Sequence, residues 1–222
     1  MGSPFVSVVM SVSMAKPSCQ EPSKTFSARL IHTSRKEAGT DFTNTAVIGR
    51  QIFMIDPELL RSNLAEFGYL ATESVVRTLI TEEKGYVEPF LRLLGAKEIS
   101  SFDASPYEGA MHVHDFSIPI DYAFHQRFTS VIDSGTLEHV LNYPVALKHC
   151  VELVSLGGHF LAIMLANNFF GHGFYQFSPD LFYRVFTPEN GFGIQQMWLL
   201  KRTASSGSRF PTRQTCAIGS LS

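Results

Sequence analysis

The chain has 222 residues, 45% of them hydrophobic and 17% charged, with 19 phenylalanines and a formal net charge of -2. This length and apolar content suit one folded domain with a sizeable core and exclude a disordered chain, and the near-neutral charge supplies no broad basic face for nucleic acid. The three cysteines, Cys19, Cys150 and Cys216, lie far apart without CxxC spacing, so neither a disulfide framework nor a zinc ribbon is indicated, and a reducing, cytoplasmic compartment fits best.

Residues 1–41 are rich in serine, and Lys16, Lys24, Arg29, Arg35 and Lys36 outnumber Glu21, Glu37 and Asp41. This composition predicts a poorly ordered extension whose deletion spares the core. It also has a faint likeness to an organellar transit peptide, interrupted by the acidic residues and by Pro17 and Pro22. The longest apolar run, 158–170, is broken by Asn167 and Asn168 and falls short of the roughly 18 residues of a membrane span.

Residues 42–200 read as an α/β domain. Thr45-Ala-Val-Ile ends in Gly49 and predicts a strand, and Asp56-Pro57 then opens a helix as cap and first residue. The 72–81 stretch fits helix or strand. A helix over 86–94 closes at Gly95, with Pro89 in its first turn. Strands over 98–103 and 110–115 end in Asp103 and Asp115. Phe128 to Asp133 is a buried strand, after which Asp-Ser-Gly-Thr turns the chain into a short helix from Leu137. A helix over 144–155, a turn at Gly157-Gly158, a strand over 159–165, a helix over 178–186 capped by Ser178 and Pro179, and a strand over 193–200 complete the pattern. In 201–222 serine, threonine, arginine and glycine replace the apolar periodicity, so this is an atypical tail. Strands alternating with helices predict right-handed crossovers and a mostly parallel sheet of about six or seven strands, with ligands at the carboxyl ends of the strands.

The runs FDASPYEGAMHVHDF (102–116), DSGTLEHV (133–140) and GGHFLAIMLANNFFGHGFYQFSP (157–179) resemble class I S-adenosylmethionine-dependent methyltransferases, most of all an uncharacterised bacterial subgroup, over residues 45–192. The resemblance implies a three-layer Rossmann-like methyltransferase fold, S-adenosylmethionine as cofactor and methyl transfer to a small molecule. A full domain of this class continues with a further antiparallel strand, so the atypical tail implies an incomplete or altered C-terminus. By the same resemblance Asp103 accepts hydrogen bonds from the ribose hydroxyls, Asp115 meets the adenine amino group and Asp133 stands at the same edge. The close run of glycines usual after the first strand is absent. Gly49, with Gly85 ten residues before Gly95, is the available substitute.

Methyl transfer from a sulfonium needs mainly alignment of the acceptor, with a base only where the acceptor loses a proton. His139 is the candidate base, since a histidine titrates near neutrality. His172 lies between Gly171 and Gly173, whose tight turns aim its ring into an acceptor pocket, with Tyr175 and Gln176 as orienting partners. Glu138, Asn167 and Asn168 complete the substrate-binding set. Plainer readings stand beside these: turn or cap aspartates, early helix residues, and aromatic side chains that merely cover the sheet. His112 and His114, two apart on one strand face, carry a third reading as a metal-dependent hydrolase, needing His139, His159 or His172 as further ligands. No metal is assigned to the site, and the second reading of the fold is a binding protein whose cofactor site has eroded.

Overall fold

Valine, isoleucine and alternating apolar positions place this chain's strands in a single parallel sheet. The computed structural model describes the backbone of residues 6–14, 24–53, 55–167 and 171–201, and the side chains of 31–53, 55–166 and 171–198. Strands β1 (Val6–Met14), β2 (Asn44–Ile48), β3 (Glu98–Asp103), β4 (His112–Val113), β5 (Phe128–Ser134), β6 (Val154–Asn167) and β7 (Phe192–Lys201) lie in the order β4-β3-β2-β5-β6-β1-β7. Every pair is parallel. Helices α1 (Lys24–Ala38), α2 (Pro57–Glu66), α3 (Glu73–Thr81), α4 (Glu88–Leu93), α5 (Tyr143–Glu152) and α6 (Pro179–Val185) make the crossovers.

The two-residue period of the strands divides the core into two layers. Ala46, Ile48, Val131, Phe160, Ala162 and Met164 pack with Ala146, Leu147 and Cys150 of α5 and Phe182 of α6. Val47, Ile132, Leu161 and Ile163 point the other way, onto Ile31 of α1, Leu60 and Leu64 of α2, Val76 and Leu79 of α3, and Phe90 and Leu91 of α4. One hand of crossover accounts for this division. The chain steps toward β4 when it passes β1-α1-β2 and β2-α2-α3-α4-β3, and toward β7 when it passes β5-α5-β6 and β6-α6-β7, so the helices of the two sets fall on opposite faces. The strand order therefore reverses between β2 and β5, and the loops leaving those two strands part company at the carboxyl edge. This is a doubly wound, Rossmann-like α/β sheet.

Local signals set most element boundaries. The Asp56 side chain accepts a hydrogen bond from Leu59 N at the start of α2, with Pro57 in the first turn. Thr72 caps α3 through Val75 N, which settles the 72–81 stretch as helix. Ser178 caps α6, accepting from Asp180 N. The strand expected over 110–115 contracts to His112–Val113, because only Phe102 and Asp103 of β3 pair with it. Gly157 has φ +75°, yet β6 runs through the expected turn: it pairs with β5 at Val154 and again from His159, with a register shift between.

The N-terminal expectation is corrected. Val6–Met14 is an interior strand between β6 and β7, and Lys24–Ala38 is a helix against the sheet, so residues 1–41 are not a poorly ordered extension as a whole. The serines that suggested disorder alternate with valine and methionine in Val-Ser-Val-Val-Met-Ser-Val-Ser-Met, a pattern that parallel pairing on both sides accepts. Residues 202–222 lie outside the described residues, as does the further strand expected there. No helix among the described residues is long and apolar enough to cross a membrane.

On α1, His32 is 4% exposed, stacked on Phe67 at 3.6 Å between ring centroids and edge-on to Tyr69. Burial first, then the charges of Lys36 and Arg35, lower its pKa to about 4. The unfolded chain, with an ordinary histidine near 6.5, binds more protons than the folded one between those values, so stability falls as pH drops from about 6.5 to 4. His32→Phe keeps a ring on Phe67 and removes the titration. Urea unfolding at pH 7 and pH 4.5 is expected to show the wild type losing about 2 kcal/mol more than the variant, and equal losses would remove His32 as the cause.

Candidate functional site

The ends of β3, β2 and β5 lie side by side at the carboxyl edge: Ile48 pairs with Phe102 on one side and with Asp133 on the other. Gly49 N continues the pattern by donating to Phe102 O at 2.7 Å. Because paired residues share a face, Asp133 points with Ile48 into the layer beneath α5, whereas Asp103, one residue beyond Phe102, points to the other face. Asp133 is fully buried. Its Oδ1 accepts from Thr136 N at 3.0 Å, and Oδ2 has no hydrogen-bond partner. Burial, then the nearby charge of Glu138, pushes its pKa well up. The expected contact between Asp133 and a cofactor at the edge is thus corrected: the carboxylate belongs to the sheet–α5 layer, with Tyr143 and Cys150, whose pKa values are raised by their own burial and by its charge.

Asp103 is half-buried at the end of β3, and its Oδ1 closes a turn by accepting from Ser105 N at 2.9 Å. Asp115 is exposed beyond the edge strand β4 and accepts from Ser117 N at 2.8 Å, which lowers its pKa. Its bond is that of a turn aspartate, two strands removed from the β2–β5 reversal.

Gly49 has φ +66°, and a Cβ placed on it would lie 2.2 Å from Thr136 Oγ1 and 3.1 Å from Gln51 Nε2. Thr136 Oγ1 donates to Ile48 O at 2.9 Å and accepts from Gln51 Nε2 at 3.3 Å. The glycine gap is therefore filled by the protein's own side chains, from the β5 loop and from the β2 loop. Gly85 lies in a 3₁₀ turn (Glu82–Gly85), and its carbonyl accepts from Phe53 N. Nearby, Arg50 ties the edge together: Nε donates to Glu88 Oε1 at 2.8 Å, Nη1 to Glu108 O and Gly109 O, and the guanidinium lies over the Tyr86 ring. Sequence reading missed Arg50, Gln51 and Thr136, whose partners are up to 88 residues away and leave no local spacing.

The β5 loop and the aromatic loop after β6 do converge. Glu138, in the 3₁₀ turn Leu137–His139, is 1% exposed. Its backbone carbonyl accepts from both Phe174 N (2.8 Å) and Tyr175 N (3.2 Å). A Cβ on Gly173 would lie 2.9 Å from that carbonyl oxygen and 3.2 Å from Glu138 Cγ, so only glycine lets the loop settle there. Glu138 Oε1 is 3.9 Å from His172 Nε2 and would lie 3.1 Å from a Cβ placed on Gly135, while Oε2 has no hydrogen-bond partner. Burial raises the Glu138 carboxyl to about 7. The His139 ring lies beside that of His172, at 5.1 Å between centroids, and its pKa is lowered by burial and by His172.

The rest of the aromatic loop departs from expectation in part. The Tyr175 hydroxyl donates to Leu141 O and its ring packs near Tyr143 and Phe177, so it braces the loop instead of orienting His172. Gln176 is exposed. Asn167 ends β6, but its side chain and all of Asn168 lie outside the described residues. His112 packs on Phe102 and Phe124, His114 Nε2 meets Ile118 O, and His159 Nε2 meets Ala38 O at the end of α1. These three rings do not converge on one point, so the hydrolase reading built on His112 and His114 has no cluster behind it among the described residues.

Comparison with family models, curated proteins and solved structures finds no match to this chain.

Proposed function

We propose that this domain binds S-adenosylmethionine at the carboxyl edge and transfers its methyl group to a small molecule. The observation that carries the reading is the reversal of strand order between β2 and β5, with Asp103 ending the neighbouring strand β3. Open α/β sheets take ligands at such reversals, because the diverging loops leave a crevice there. Asp103 suits the ribose end of the cofactor, being an acidic group at the edge with one oxygen already fixed by Ser105 N. Glu138, His139 and His172 line the adjacent loop pair on the acceptor side. The loop after β2 fits the cofactor less well, since Thr136 and Gln51 fill the space over Gly49.

That filled space favours the second reading, a binding protein that keeps the sheet and has lost the cofactor. Calorimetry separates the two. Saturable binding of S-adenosylmethionine and of its demethylated product is expected, and Asp103→Ala should weaken it by about 1.5 to 3 kcal/mol, the range for hydrogen bonds to a charged group. Unchanged affinity in a folded variant would take Asp103 out of the site, and binding of neither ligand would leave the second reading standing.

A further inference from the structure

The structure assigns to Glu138, His139 and His172 a binding site for one divalent transition-metal cation, with zinc the natural probe. Each residue offers one ligand atom, and the three atoms lie within 4.8 Å of one another. This cation site does not depend on methyl transfer or on S-adenosylmethionine.

Three observations carry it. First, Glu138 is 1% exposed and its Oε2 has no hydrogen-bond partner, although a buried carboxylate is stable only when something compensates its charge or lone pairs. A cation beside it supplies that compensation. Second, the loop bearing His172 is fixed to the residue whose carboxylate it faces. Phe174 N and Tyr175 N both donate to Glu138 O, and Gly173 rests against the Glu138 side chain. The carboxylate and this imidazole are thereby set in register by backbone bonds, and His139 is delivered by the next position along the same 3₁₀ turn. Third, the cluster is open on one side, with His172 32% exposed against the buried carboxylate.

The donor set selects the class of metal. Two imidazoles with one carboxylate suit zinc, iron or cobalt, whereas calcium and magnesium take oxygen ligands. Ligand atoms at about 2.0–2.2 Å from zinc are roughly 3.3 to 3.6 Å apart in a tetrahedron, so His172 Nε2, 3.9 Å from Glu138 Oε1, is already close to that spacing, and no pair within the 4.8 Å cluster must close by more than about 1.5 Å. Three protein ligands and an open face describe a site that keeps a position for water or an acceptor oxygen, unlike the sealed four-ligand structural type.

The test uses the full chain, freed of metal by a chelator and titrated with zinc against a chromophoric competitor. One equivalent is expected to bind. His139→Ala and His172→Ala should each weaken binding about tenfold or more while keeping the wild-type melting temperature in chelator, and His112→Ala should bind as the wild type does. Heteronuclear NMR of the histidine rings gives a reading that does not depend on the variants folding: zinc should shift the ring nitrogens of two histidines. The assignment is overturned if the wild type takes up no stoichiometric zinc, if either variant binds with wild-type affinity, or if zinc shifts no ring nitrogen. Failure to bind S-adenosylmethionine would leave it untouched.

Discussion

A chain that begins at Ser23 is expected to lose cooperative thermal unfolding, because the residues removed include β1. That strand pairs with β6 from Ser7 to Met14 and with β7 from Val6 to Met14, so its loss strips the ladder from one edge of each neighbour. β7 then has no partner among the described strands. Unpaired parallel strands rich in apolar residues also template association between chains, so the truncated protein should aggregate at concentrations where the full chain stays dispersed. A milder variant isolates the ladder itself. Met10 pairs with Ala162 on one side and Met197 on the other, and Met10→Pro removes an N–H and adds a ring in an interior strand. The cost should be about 3 kcal/mol or more by urea unfolding, taking the helix-interior figure for proline as a guide. If the truncated chain melts cooperatively at the wild-type temperature, β1 is not an integral strand.

The contrast between β1 and the central strands shows which parts of the fold the sequence exposes. Asp56-Pro57 and Ser178-Pro179 put their helix starts within one residue, since a cap and a first-turn proline act through bonds only two or three residues long. β3 matches its expected 98–103 span, bounded by charged residues at both ends. β1 carries valine and serine in partial alternation, Val6-Ser7-Val8 and Ser11-Val12-Ser13, but the serine and lysine content of residues 1–41 as a whole reads as a poorly ordered extension. β4 shrank because strand length is set by the partner, and β3 offers it only two residues.

The site divides along the same line. The approach of the 171–177 loop to the β5 loop follows from its leaving the sheet at the same edge as Asp133, and a Cβ on Gly173 would lie 2.9 Å from Glu138 O. The role of Asp133 could not be read from the sequence, because its direction depends on the pleat register with Ile48 and not on its place after a strand. Arg50 was silent for a related reason. Its partners Glu88, Glu108 and Gly109 come from two later connections that only the folded edge brings together.

Gly49→Ala is expected to destabilise the protein by about 2 to 4 kcal/mol, combining a left-handed backbone that a Cβ disfavours by about 1 kcal/mol with overpacking of about 1 to 3. The overpacking has one main source. The new methyl would lie 2.2 Å from Thr136 Oγ1, so the hydroxyl must leave and its bond to Ile48 O must break. Thr136 also sits two residues before Glu138, so moving it displaces the turn on which the carboxylate and His139 are carried. Thr136→Ala removes the colliding oxygen and leaves the threonine Cβ position at 3.4 Å, an ordinary contact. The double variant should therefore recover the overpacking part and retain the backbone part, giving a coupling of about 1 to 3 kcal/mol between two positions 87 apart in sequence. Urea unfolding of the four proteins measures it. Additive effects would mean that the Thr136 side chain does not fill the space above Gly49, and that the edge of β2 is open to a ligand after all.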